Sequence, residues 1–297
     1  MKNYISFDIG GTGIKYGILD QDGAILRKFS ISSEARKIGG PGIISKIVEI
    51  TNALKKEYTL SGIGISCAGM IDSKNGSVLF ADEHLIPNFT GMKIKEKVEG
   101  ETGLLCEIEN DVNCAGLGEL WLGSESDVEL VSMLTIGTGI GACLIKNGKL
   151  ITGNTMCAGE IGKTQIPGGR FEDIASSYAM TSKLERKLGL PKESINGKIV
   201  FEEIEKGNEI YIKAVNEMIE NLAIGISNLC FTFNPGIVIL GGGIMAQEEY
   251  FRPRLEESIK KYLPEAIYNG TQLRFAKLKN DAGMIGALKN FLNKNAQ

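Results

Sequence analysis

Histidine is nearly missing from this chain: of 297 residues, only His84 carries an imidazole. General acid–base chemistry therefore falls mainly to carboxylates, and His84, in "ADEHLIPNF", reads as a surface or domain-edge residue. The six cysteines stand far apart, and no C-x-x-C occurs. That spacing argues against a disulfide framework and leaves a structural zinc ion without a ligand cluster. No apolar run approaches the roughly 20 residues that span a bilayer. There is no basic excess either: 33 Lys and Arg stand against 36 Asp and Glu, for a net charge of −3. A nucleic-acid surface needs clustered positive charge, so neither a membrane nor a nucleic-acid partner is expected. The opening "MKNYISFDIGG" meets Asp8 too early for a signal-peptide core, and a cytoplasmic protein is expected.

Glycine is what the chain has in excess, at 38 residues. It clusters in "DIGGTG", "TIGTGIG" and "LGGGI", each directly after an apolar β-type run. Glycine there lets a ligand approach the backbone, and three such loops suggest one large polyanionic ligand. "NYISFDIGGTGIKYGILDQDGAIL" reads as strand, glycine turn, strand, Asp-Gly turn and third strand. "VSMLTIGTGIGACLIKNGKLI" repeats that grammar, with Ile136 in the place of Ile9 and Asn147-Gly148 in the place of Asp22-Gly23. The pattern is a duplicated β-hairpin unit, one copy opening each of two domains. Helical periodicity covers 42–57, about 173–188, 208–232 and the tail "AGMIGALKNFL". "LSGIGISCAGMID", "LLCEIEND" and "GIVILGGGI" read as strands, and roughly 153–172 as a long loop. Strands in threes followed by helices predict an α/β fold with a mixed sheet in each domain. The expected division is 1–118, joined by the C-terminal helix 282–297, and 119–281.

Each motif has a plain reading beside its chemical one. In "DIGGTGIK", Asp8 ends a strand and Gly10, Gly11, Thr12 and Lys15 surround a turn. This is either an ordinary hairpin or a phosphate cradle in which Asp8 orients Mg²⁺ through water. Gly137, Thr138 and Gly139 match it in the second unit. "GTGIGA" resembles a dinucleotide-binding loop but runs into another strand instead of a helix. "ENDVN" places Asn110 and Asp111 where a strand gives way to a helix; they are either a helix cap or the site of a phosphoryl-transfer base. The segment around Glu119 and Trp121 reads as packing. "CAGEIGKT" comes within one residue of a P-loop, with Cys157 where the first glycine belongs.

Taken in order, Asp-x-Gly-Gly-Thr-x-x-Lys, E-N-D-x-N, L-T-x-G-T-G-x-G, G-E-x-G and the late G-G-G resemble the ROK family of bacterial sugar kinases. Those belong to the actin/hexokinase-like ATPases, and the resemblance runs over essentially the whole chain. It implies two ribonuclease-H-like α/β domains around a central cleft, usually in a homodimer. It also implies ATP- and Mg²⁺-dependent phosphorylation of the 6-hydroxyl of a hexose or N-acetylhexosamine. By that resemblance Asp111 is the catalytic base. Asn88, Asn110 and Glu160 contact the sugar. Gly10, Gly11, Thr12, Thr138 and Gly139 line the phosphates, and Gly242 lies near the adenosine. "CAGEIGKT" is then a sugar-binding element.

One departure stands out. Many family members follow G-E-x-G with a histidine that also ligates zinc, above a cysteine cluster. Here Lys163 takes that place, and "TQIPGGRFEDIASS" holds no cysteine. A protonated lysine has no lone pair for a metal, so no structural zinc is expected. Lys163 is left either donating to a sugar hydroxyl or carboxylate or standing in solvent. The zinc-free pattern is similar to N-acetylmannosamine kinases and β-glucoside kinases, with glucokinase as the alternative. A ROK-type regulator is the reading from another class. Such repressors carry a winged helix ahead of the first glycine loop, for which residue 8 leaves no room.

Overall fold

The computed structural model describes residues 2–123 and 127–296. The chain divides into two compact units: Met1–Ser126 with Leu150–Ala158 and Asn280–Gln297, and Asp127–Lys149 with Gly159–Lys279.

The first unit runs β1 (Asn3–Ile9), β2 (Gly13–Asp20), β3 (Ile25–Ser32), α1 (Ala35–Leu54) and β4 (Leu60–Cys67). It continues through the small pair β5 (Met70–Asp72) and β6 (Ser77–Phe80), α2 (Ile94–Thr102), β7 (Cys106–Asn110) and α3 (Asp111–Gly118). A π-helical turn, Glu119–Gly123, prolongs α3. The sheet order is β3-β2-β1-β4-β7, with β1, β2 and β3 antiparallel and β4 and β7 parallel to β1. β1 and β4 are buried along nearly their whole length, as strands covered on both faces must be. Their Ile5, Phe7, Ile63 and Ile65 form one core with Ile43, Ile44 and Ile47 of α1. The C-terminal helix, Ala282–Lys294, packs on β1, β4, β7 and α3.

The second unit repeats the plan with β8 (Leu130–Ile136), β9 (Ile140–Lys146) and β10 (Lys149–Leu150). A small hairpin follows, β11 (Gln165–Ile166) and β12 (Gly169–Arg170), then α4 (Phe171–Ala175), α5 (Ser177–Leu188), α6 (Gly197–Glu205) and α7 (Glu209–Phe233). β13 (Ile237–Gly241), α8 (Glu248–Lys260), α9 (Glu265–Gly270) and β14 (Gln272–Phe275) complete it. The order β10-β9-β8-β13-β14 matches that of the first sheet, again with an antiparallel first hairpin and two parallel strands beyond it. The duplication read from the glycine loops is therefore a duplication of whole sheets. The copies differ by one residue: 10–13 separate the paired Ile9 and Ile14, whereas 137–139 separate Ile136 and Ile140.

Several elements depart from the expected pattern. The helix expected from 42 begins at 35, because Gly39-Gly40-Pro41 masks its first turns. The chain kinks there, with Gly39 at φ 61°. The segment expected as one helix from 173 is two, broken at Ser176, whose extended backbone ends α4 and whose hydroxyl accepts the Ala179 N–H to cap α5. The supposed loop 153–172 contains a 3₁₀ turn at Ile161–Lys163 and the β11–β12 hairpin. The helices α2 and α6 were not legible. In α2 only Ile94, Val98 and Thr102 are buried, too thin a stripe to separate from a polar loop. His84 is exposed, as expected. Trp121 packs, lying under the Lys289 ammonium at 4.8 Å and against the Gly23 turn.

Candidate active site

In the first unit the chemistry gathers at the C-terminal ends of β1, β4 and β7, the usual ligand edge of parallel strands. Register places Asp8 beside Ser66 and Ser66 beside Glu109, while Ile9, Cys67 and Asn110 form the next row. Two strand spacings, about 10 Å, therefore separate the Asp8 strand from the Asn110 strand. The Ser66 hydroxyl donates to Asp8 Oδ1 at 2.9 Å, and Lys15 Nζ lies 3.7 Å from Oδ2. A Cβ on Gly283 would stand 2.6 Å from Oδ1, so the first turn of the C-terminal helix abuts this carboxylate. Burial pushes the Asp8 carboxyl above its ordinary pKa, opposed by Ser66 and Lys15. Burial also pushes the Cys67 thiol well up, and the charges of Asp111, Glu109 and Asp8 add to the effect.

Asn110 ends β7 and caps α3. Its Oδ1 accepts the N–H groups of Val112 at 2.9 Å and Asn113 at 3.1 Å. Its Nδ2 donates to the Gly69 carbonyl at 2.9 Å and to Asp111 Oδ1 at 3.0 Å. An amide side chain offers two donors and an oxygen with two lone pairs, so Asn110 is saturated within the protein. Within the protein it fixes the cap and the carboxylate beside it. The buried Glu109 supports the same corner, accepting the Asn110 N–H at 2.8 Å and Asn113 Nδ2 at 2.9 Å. Asn110→Ala should lose about 1 kcal/mol of stability from the cap. A thermal melt of the variant measures that loss.

Asn88 is exposed at φ 56°, with its N–H donating to Glu83 Oε2 at 2.8 Å. In the first glycine turn, Gly10 N–H closes on Gly13 O at 2.9 Å and Thr12 stands exposed at the tip. The second turn copies this: Gly137 N–H closes on Gly139 O at 3.0 Å, with Thr138 exposed. Gly10 and Gly137 thus hold their turns shut, and the groups presented outward belong to the residues that follow.

The "CAGEIGKT" segment lies against β9, the strand leaving the second turn. Gly159, at φ 99°, would collide with the Ala142 carbonyl if it carried a Cβ. Gly162 would collide likewise with Ile140, so close packing and not a left-handed backbone requires glycine there. Glu160 is half-buried, which raises its pKa; Lys163 opposes the shift and Glu172 adds to it. Lys163 Nζ is 2.7 Å from Glu172 Oε1. Glu172 had no signal in the sequence, because an acidic residue in a helical first turn is commonplace.

A cavity of about 700 Å³ in the second unit is walled by Ile136, Gly137, Ser177, the start of α6 and Gly243–Ile244. Gly242 itself, at φ 101°, packs against the Ile136 backbone, and the turn it makes carries Gly243 to the cavity wall. Among the described residues no group of three or more His, Cys, Asp or Glu could hold a metal ion, and no helix is long and apolar enough to cross a membrane.

Paired sheets of this order, each with a glycine turn after its first strand, are the frame of the actin-like ATPases, and this protein is an ATP-dependent sugar kinase built on it. It belongs to the ROK family, whose model matches residues 4–294. A β-glucoside kinase of Listeria monocytogenes is 31% identical over 297 residues, covering 97% of each chain. A solved structure from the same organism, of a proposed N-acetylmannosamine kinase, superposes with a TM-score of 0.87 at 29% identity over 98% of this chain and 99% of that one. The ROK glucokinase of Streptomyces griseus, solved with glucose and AMPPNP, gives 0.80 at 27% identity over 96% and 98%.

Proposed function

We propose that the protein transfers the γ-phosphoryl group of ATP to the 6-hydroxyl of a hexose or N-acetylhexosamine. N-acetylmannosamine is the first choice, and glucose or a β-glucoside the alternative. One observation carries the mechanism: the Asp111 carboxylate, at the end of a parallel strand, is aimed by an asparagine that has no other free valence. Held there, Asp111 accepts the hydroxyl proton as the sugar oxygen bonds to the γ-phosphorus and the β–γ bridging oxygen departs with ADP. Thr12 with Gly11, and Thr138 with Gly139, would donate to phosphate oxygens. The nucleoside would occupy the cavity beside Gly243.

The surroundings of Asp8 fit a magnesium–ATP complex. A single carboxylate beside a hydroxyl suits an ion held through water and phosphate, not a protein cage. When bound, the ion neutralises phosphate charge, while Lys15 holds Asp8 in place. Glu160 would accept a sugar hydroxyl, for which it must be ionised. Because burial raises its pKa, protonation begins at a higher pH than for an ordinary glutamate. The sugar KM should therefore climb as pH falls into the weakly acidic range, with kcat changing less. Glu160→Gln should show a high KM that is flat over the same range.

A coupled assay with N-acetylmannosamine, N-acetylglucosamine, glucose, mannose, fructose and cellobiose tests the substrate. The highest kcat/KM is expected for N-acetylmannosamine, in line with the structural relative proposed to be such a kinase. A higher value for glucose or cellobiose would replace that choice, and no phosphorylation of any of them would sink the assignment. We further propose a cytoplasmic homodimer, which sedimentation would reveal as about twice the 32.1 kDa chain mass.

A further inference from the structure

The turn that carries Glu160 is tied to its surroundings by charge. Lys163 and Glu160 are three residues apart in one 3₁₀ turn, closed by Lys163 N–H on the Glu160 carbonyl at 3.1 Å. The Lys163 ammonium leaves that turn and meets Glu172 Oε1, in the first turn of α4, at 2.7 Å. Glu172 is only 13% exposed, against 52% for Lys163, so the lysine reaches from solvent to a carboxylate held inside. The other Glu172 oxygen is wedged beneath two glycines: a Cβ on Gly139 would lie 2.8 Å from it, and one on Gly162 3.3 Å. The backbone joins the same elements, with Phe171 N–H donating to the Thr164 carbonyl at 2.9 Å. The second cation near Glu172, Arg170, stands 3.6 Å away and directs its guanidinium to Asp173 at 2.9 and 3.0 Å. Facing Glu160 from the elements around it are Lys163 and Glu172; the β9 backbone against the turn carries no charge there.

We propose that Lys163 is a positioning residue: as the shared counter-charge of Glu160 and Glu172 it holds the 160–164 turn on α4, and sugar affinity depends on it without its touching the sugar. The inference rests on Glu160 being the sugar acceptor. The Glu172 carboxylate on α4 works against charge on Glu160, and the Lys163 ammonium works for it. Removing it leaves Glu172 with a distant, already engaged arginine and favours protonating Glu160. A lysine that donated directly to the sugar would behave differently, since its loss would cost affinity equally at every pH.

Lys163→Met and Lys163→Arg, each in the full chain, separate these cases. For Lys163→Met the sugar KM should rise about tenfold at pH 7, near the 1.4 kcal/mol of one such charged contact. Its acid limb should move to higher pH, and kcat should stay within about twofold. Lys163→Arg, which keeps the charge, should restore most of the affinity and the wild-type pH profile. A carboxyl ¹³C titration of Glu160, assigned by the signal lost in Glu160→Gln, reads the same shift without turnover. An unmoved Glu160 titration in Lys163→Met overturns the inference whatever the kinetics, as does a pH-independent loss of affinity. If the wild type phosphorylates no sugar, the proposed function fails, and the titration still decides whether Lys163 governs the charge of Glu160.

Discussion

Asp111→Asn is expected to fold, bind sugar and nearly cease to turn over. The substitution keeps the shape of the side chain and an oxygen at the position of Oδ1, where Val112 N–H and Asn110 Nδ2 donate at 2.9 and 3.0 Å. Those bonds tie Asp111 to the first turn of α3, so the melt should move little. What the amide lacks is a basic site for the hydroxyl proton. General-base catalysis by a positioned carboxylate is worth roughly 10²–10⁴ in rate, and kcat should fall by that order. Three measurements decide it: kcat in the coupled assay, sugar affinity by calorimetric titration, and the midpoint of thermal unfolding. Turnover close to wild type would remove Asp111 from the mechanism. Loss of turnover with a collapsed melt would instead mean that the residue is chiefly a cap, the plain reading of "ENDVN".

The second large effect concerns stability and follows from how closely α3 meets the C-terminal helix. A Cβ on Gly286 would overlap the Cys114 carbonyl, and one on Gly118 would lie 2.6 Å from Ala282 O and 3.1 Å from Gly286 N. Gly64 of β4 meets Ala287 O in the same way at 2.6 Å. Backbone touches backbone at each place, so no side chain can swing aside. Gly286→Val should destabilise the protein by about 3 kcal/mol, the upper end of core overpacking. Against a total of roughly 5–15 kcal/mol, that is a large fraction. Because α3 carries Asp111 at its start, the surviving folded fraction should also be slow. Gly100→Ala provides the control: this exposed helical glycine has nothing within 4 Å of a Cβ, and the change should stabilise by about 0.5–1 kcal/mol. Urea unfolding of both variants measures the contrast. A Gly286→Val midpoint within error of wild type would show that the two helices can move apart freely.

Much of the fold was legible because its signals are local. A strand, a glycine turn and a second strand form within some twenty residues, and the recurrence of that pattern at Ile136 announced two equivalent units. The "ENDVN" junction was legible for the same reason, since a cap is written in consecutive residues. α2 and α6 escaped because their helicity depends on what they cover: each buries only a few side chains, such as Val200 and Phe201 in α6. What Asn110 bonds beyond its own cap was not legible. Its residue type suits a cap, a sugar ligand or both, and its bond to the Gly69 carbonyl, 41 positions away in sequence, comes only with the fold.

The order of strands, the two glycine turns, the acidic strand end at 110–111 and the scarcity of histidine and clustered cysteine are properties of the sequence itself. They rest on backbone conformation and residue chemistry within one or two turns of chain. Tertiary structure alone decided that Ser66 holds Asp8, that Gly283 lies against that carboxylate, and that Lys163 pairs with Glu172. Those are contacts between side chains or backbones from separate elements. Their partners are chosen by which strands lie side by side and how closely helices approach, and spacing along the chain carries no record of either.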